Sequence, residues 1–146
     1  MKVFAAFIGF GWAVAVMSVG CVACSHTPSI PNAVIENFAK DYPQVKRAAW
    51  HPKVDGDYEA IFSLQGREQT VKYTSTGKLV EREQDITQQE VPPMVLKTAR
   101  LQLARAAFTE YSRLERPGKP PVFEVEAQIR GKAVDFFYTQ DGHRTH

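Results

Sequence analysis

Three groupings in this 146-residue chain carry side chains able to do chemistry. Asp55, Asp57 and Glu59 alternate over five positions and offer oxygens to a hard cation. They are too few for an EF-hand loop, and Asp-Gly-Asp is also ordinary turn chemistry, which is the reading the sequence favours. His143 and His146 stand three apart, a spacing that metal sites use. No further ligand lies near them, whereas a structural site wants four. Glu124 and Glu126 fall on one side of a strand pattern. Glycoside hydrolysis needs two carboxylates, but the solvent side of a half-buried sheet produces the same pair. The only cysteines, Cys21 and Cys24, lie near the start, so the body has neither a thiol nucleophile nor an internal disulfide. No Gly-x-Ser-x-Gly elbow, P-loop or His-Glu-x-x-His is present. The sequence therefore predicts a protein that is not an enzyme, with no catalytic set, no metal site and no cofactor.

The first residues read as an address. Lys2 precedes an uncharged apolar run, Val3 to Val19, followed by the small residues of Gly20-Cys21-Val22-Ala23-Cys24. This is the layout of a cleaved secretory leader over 1–23. A small residue before a cysteine also fits lipidation, at Cys24 or else Cys21. Residues 24–29 form a short polar tether. The expected location is the periplasm, or the bacterial envelope by a lipid anchor in the outer membrane. Past the leader, 17 bases face 16 acids, and no basic run exceeds Lys46-Arg47. Nucleic-acid binding needs a clustered basic footprint and is not predicted.

The elements that position these residues come twice. Leu64-Gln65-Gly66-Arg67 recurs as Ile129-Arg130-Gly131-Lys132, and Tyr73-Thr74-Ser75-Thr76-Gly77 as Tyr138-Thr139-Gln140-Asp141-Gly142, both at an offset of 65. Ile30-Pro31 with Val34 recurs as Val91-Pro92 with Val95, at an offset of 61. Pro31 opens an amphipathic helix through Val34, Phe38 and Tyr42, stopped by Pro43. Pro92-Pro93 open a second, predicted to be longer, with Val95, Ala99, Leu103 and Ala106 or Ala107 on its stripe and Tyr111 near its end. Val45 to Trp50 is predicted as a first strand. Alternation of period two marks Tyr58, Ala60, Phe62 and Leu64, and again Phe123, Val125, Ala127 and Ile129, as inward faces. Aligned inward residues exchange size, which predicts one core shared by two copies. The fold class is α+β: an internally duplicated helix-plus-antiparallel-hairpins unit, its two helices packed on one face of a curved antiparallel sheet of six to eight strands. Residues 30–146 are one domain of two repeats, 30–85 and 91–146. His143 to His146 is a frayed edge strand.

Ile30-Pro31, Val34, Phe38, Tyr42-Pro43, Trp50, Tyr58-Glu59-Ala60 and Thr76-Gly77-Lys78-Leu79 together resemble the PepSY-like, beta-lactamase-inhibitor-like family of small exported bacterial proteins. The resemblance covers about residues 30–146. The second copy departs from it, lacking the Tyr-Pro helix stop and a counterpart of Trp50. The resemblance implies a duplicated helix-and-sheet fold, export across the inner membrane, no catalytic residues, and protein binding across the open sheet face.

That face is where the alternation itself places an anomaly. Trp50, Ile61 and Phe137 are predicted to point away from the helices, among Glu59, Ser63, Lys72 and Asp135. Large apolar groups on an outward face are candidate contacts for a protein or peptide of the cell envelope. The alternative is a sensor or carrier of a small apolar ligand, in a cavity between helices and sheet lined by Phe62, Tyr73, Phe136 and Leu103.

Overall fold

The computed structural model describes residues 29–145, so the leader, the cysteines and His146 lie outside the described residues. Helix α1 (Asn32–Asp41) is followed by strands β1 (Ala49–Pro52), β2 (Tyr58–Leu64), β3 (Arg67–Tyr73) and β4 (Leu79–Asp85). A short 3-10 turn (Gln88–Glu90) leads to α2 (Pro93–Gln102), β5 (Ala107–Glu115), β6 (Val122–Ile129), β7 (Lys132–Thr139) and β8 (Arg144–Thr145). The eight strands form one antiparallel sheet in sequence order, β1 to β8.

Local chemistry explains the elements. Pro31 stands one position before α1, and its carbonyl accepts the first free amides, from Val34 (3.0 Å) and Ile35 (3.2 Å). Tyr42 closes the helix, and the residue before a proline is kept out of helical geometry, so Pro43 prevents continuation. The recurring Gln65-Gly66 and Arg130-Gly131 pairs both have positive φ (55° and 79°, 53° and 77°). They are two-residue turns of the kind that matches the twist of a hairpin, and they set the register Leu64 to Arg67 and Ile129 to Lys132.

Three expectations about this region are corrected. The first strand starts at Ala49, not Val45: the Val45 amide is held by the Tyr42 carbonyl (3.0 Å), and Val45 and Ala48 pack against the α1 cluster instead of joining the ladder. The second helix ends at Gln102, with Leu103 as its cap. The segment predicted as its continuation is instead β5, bulged between Phe108 and Glu110. Finally, the two halves do not share one core. Val34, Phe38 and Tyr42 of α1 cluster with Ala60, Phe62, Val71 and Tyr73. Val91, Val95 and Ala99 cluster with Phe123, Val125, Ala127, Phe136 and Tyr138. The register carries Val71 across Arg82 to Glu115, and Phe123 across Arg113 to Gln84, so both clusters lie on the same sheet face. Between them that face carries Arg82, Gln84, Arg113 and Glu115, which are not apolar enough to fuse two cores.

Two tertiary contacts nevertheless recur in both halves. Tyr73 donates its hydroxyl to Asp41 (2.9 Å) at the end of α1, and Tyr138 donates to Gln102 (3.3 Å) at the end of α2. Gly77 lies against the Ala33 carbonyl and Gly142 against that of Met94.

Candidate functional site

Among the described residues, no helix packs on the other sheet face. Side chains alternate between faces, and directly paired residues share one. The register then assigns the uncovered face: Ile61, Thr70, Glu83, Leu114 and Val122 in one row; Glu68, Asp85, Ser112, Glu124 and Phe137 in the next; Glu110, Glu126 and Asp135 beyond. Two of these residues are buried although, among the described residues, no helix lies over the face: Ser112 is 2 % exposed and Leu114 4 %. Burial without a covering element means that neighbouring side chains close over them. We call this crowded strip of side chains along the middle of the face the trough.

Charge is sorted between the faces. Arg67, Arg82, Arg113, Lys132 and Arg144 all alternate to the helix side. Among strand lysines and arginines of the described residues, only Lys72 points the other way, and it is held by Asp55 (2.7 Å) and Asp57 (3.5 Å) at the rim. Glu59 and Glu81, also at the rim, pair with Lys53 and Arg116. The remaining carboxylates of the face, Glu68, Glu83, Asp85, Glu110, Glu124, Glu126 and Asp135, make no ion pair among the described residues.

Crowded carboxylates with few cations should resist ionisation. Burial, then the charges of Glu83 and Asp135, pushes the Glu124 carboxyl up to about 8. Burial raises Glu83 as well, tempered by the Ser112 hydroxyl. Burial and the Glu68 charge raise Asp85; burial, then Asp85 and Glu126, raises Glu110. Glu126 accepts a short hydrogen bond from Thr109, the residue freed by the β5 bulge.

The residues singled out in the sequence separate. Ile61 and Phe137 are on the uncovered face, both partly buried, with Phe137 opposite Glu124. Trp50 is not. It is paired with Ala60, its ring meets Phe38 edge-on at 5.2 Å, and it packs against the α1 cluster, so its expected outward placement is corrected. The proposed ligand cavity is not assembled either: Phe62 and Tyr73 belong to one apolar cluster, Phe136 and Leu103 to the other. Asp55 accepts the Asp57 amide (3.1 Å) as a turn residue, and Glu59 pairs with Lys53 (3.1 Å). His143 pairs with Asp141 (3.3 Å). Among the described residues no three His, Cys, Asp or Glu come together as metal ligands. Sequence reasoning placed Glu124 and Glu126 on one face but missed Glu83, Asp85 and Glu110, since their convergence depends on β4 and β5 lying side by side.

The fold recurs in solved structures. A presumed periplasmic protein of Bacteroides eggerthii superposes with a TM-score of 0.73 at 20% identity, over 81% of this chain and 87% of that one. A DUF2874 family protein of Bacteroides ovatus gives 0.71 at 22%, over 81% and 86%. A BLIP-like protein of Bacteroides fragilis gives 0.65 at 25%, over 80% and 84%. The chain therefore has the fold of the DUF2874 and BLIP-like structures. No family model and no curated protein matches it.

Proposed function

We propose that this protein is a non-enzymatic binding module of the bacterial envelope that engages a protein or peptide through the uncovered sheet face, with Ile61 and Phe137 among its contacts. The observation that carries the reading is the trough itself: a broad face left without a helix, with apolar side chains set among carboxylates that the fold does not pair. A face needed only for solubility would not crowd carboxyls that oppose their own ionisation around the partly buried Ile61 and Phe137. The BLIP-like and presumed periplasmic neighbours, together with the resemblance to the PepSY-like, beta-lactamase-inhibitor-like family, support an exported protein that acts on other proteins. Descent of the two halves by duplication, cleavage after a leader and lipidation at Cys24 or Cys21 belong to the same reading.

Site-specific photocrosslinking in cells tests it. A photoreactive phenylalanine analogue at position 61 or 137 should give a defined adduct with one envelope protein. The same analogue at Leu101, exposed on α2, should not. Adducts from position 101 alone, or from none of the three, would rule the face out as the contact surface.

A further inference from the structure

The helix side of the sheet holds nearly all of the strand cations and the uncovered face nearly all of the unpaired strand carboxylates. From this segregation we propose that the occupant of the trough is an arginine- or lysine-rich segment of a partner protein. The inference rests on the binding reading above and names the chemistry of the partner. Complementarity is the first argument. A partner bringing positive charge supplies the counter-ions that Arg67, Arg82, Arg113, Lys132 and Arg144 withhold by alternating to the helix side.

Shape is the second. Neighbouring strands lie about 4.8 Å apart, so the carboxylates from Glu68 on β3 to Asp135 on β7 extend over roughly 19 Å. That width exceeds any single ion, and no metal-ligand grouping exists among the described residues. A polypeptide covers it with successive side chains. The third argument is the apolar floor. Lysine and arginine carry long alkyl stems that favour apolar ground while their heads reach charge. Ile61, Val122 and Phe137, only partly buried on this face, provide that ground. Phe137 stands directly opposite Glu124. A guanidinium stacked on the Phe137 ring is within a neighbouring side chain's reach of the Glu124 carboxylate, a combination that planar arginine makes better than lysine.

A nine-residue arginine peptide titrated into the 15N-labelled protein at low salt tests the proposal. Binding should shift amides of residues 110–114, 122–128 and 133–137 and weaken steeply as salt is added. The triple variant Glu110→Gln, Glu126→Gln, Asp135→Asn should weaken it tenfold or more. The control triple Glu36→Gln, Glu115→Gln, Asp141→Asn, which removes as many charges elsewhere, should change it less than twofold. Equal losses from the two triples, shifts centred on the helices, or no binding would overturn the cationic partner. So would equally tight binding of spermine or calcium, which would make the occupant a small cation. Self-association at low salt that the face triple abolishes would overturn it too, making a second copy's basic helix side the occupant. The crosslinking from positions 61 and 137 is independent of all these outcomes. Adducts there with a partner whose bound segment is not basic would end this inference and leave the binding face standing.

Discussion

Replacing Glu124 by glutamine should stabilise the protein, and should do so more at higher pH. The side chain lies in the trough between Ser112 and Phe137, its carboxyl held at about 8 by burial and by Glu83 and Asp135. An acid raised in the fold above its unfolded value, near 4.5, keeps a proton that the unfolded chain gives up. Stability from this group is therefore lowest above pH 8 and rises as pH falls from about 8 toward 4.5. At about 1.36 kcal/mol per pH unit the full equivalent is about 5 kcal/mol. Water screens a group that is only partly buried, so about 1–3 kcal/mol is the expected size. Glutamine keeps the shape, removes the charge and relieves its neighbours Glu83 and Glu110, which are raised in the same direction. Urea unfolding of both proteins at pH 5.5, 7.0 and 8.5 reads the effect. The wild type should gain stability on acidification across that range. The variant should show a shallower slope and lead by about 1–3 kcal/mol at pH 8.5. Parallel slopes, or a variant less stable at pH 8.5, would show that Glu124 ionises freely and that the electrostatic account of the trough is wrong.

Gly77→Ala and Gly142→Ala should each cost at least about 2 kcal/mol, by thermal unfolding. Both sites have positive φ (81° and 85°), and a new Cβ would meet the Ala33 or Met94 carbonyl. Phe62→Ala and Phe136→Ala, at 5 % and 6 % exposure, should each cost about 3–5 kcal/mol in the same assay. Ile61→Ala and Phe137→Ala should weaken the complex with the crosslinked partner by about 2 kcal/mol or more with a nearly unchanged unfolding midpoint; the reverse pattern would make both side chains core. Intact mass of the membrane fraction should show a chain starting at Cys24 or Cys21 with a diacylglyceryl adduct, and a product without it would end the lipoprotein reading.

Much of this architecture was legible along the chain because it is local. The strict alternation of Tyr58–Leu64 and Phe123–Ile129 and the Gln-Gly and Arg-Gly turns locate β2, β3, β6 and β7. Other parts depend on distant partners. Leu103 to Ala107 is rich in helix-forming residues, so the helical period runs on past the true end of α2. Only pairing with β6, and a bulge that resets the alternation, makes Ala107–Glu115 a strand. The sequence places Trp50 on the wrong face because its strand is four residues long and follows an irregular loop. Parity had to be counted from a starting point that only the Ala60 partner supplies. The acidic trough is the same case on a larger scale. Each glutamate reads as an ordinary outward residue of its own strand, and their crowding exists only once β4 and β5 join the halves.

That junction has a mechanical side. Arg82–Asp85 paired with Ser112–Glu115, extended by the Ile86 amide on the Tyr111 carbonyl (2.9 Å), is the strand ladder between the halves, and each half closes its own apolar cluster. Two blocks joined by one short ladder bend most easily at the joint, where the helix side carries Arg82, Gln84, Arg113 and Glu115 in place of an apolar cluster. The joint is also the floor of the trough, since Glu83, Asp85, Ser112 and Leu114 all belong to it. Flexing it widens or narrows the groove and changes the spacing of the very carboxylates that repel one another. Charge neutralisation, whether by protons or by a bound cationic chain, would therefore act as a spring release, drawing the two blocks together and tightening the sheet around what it holds.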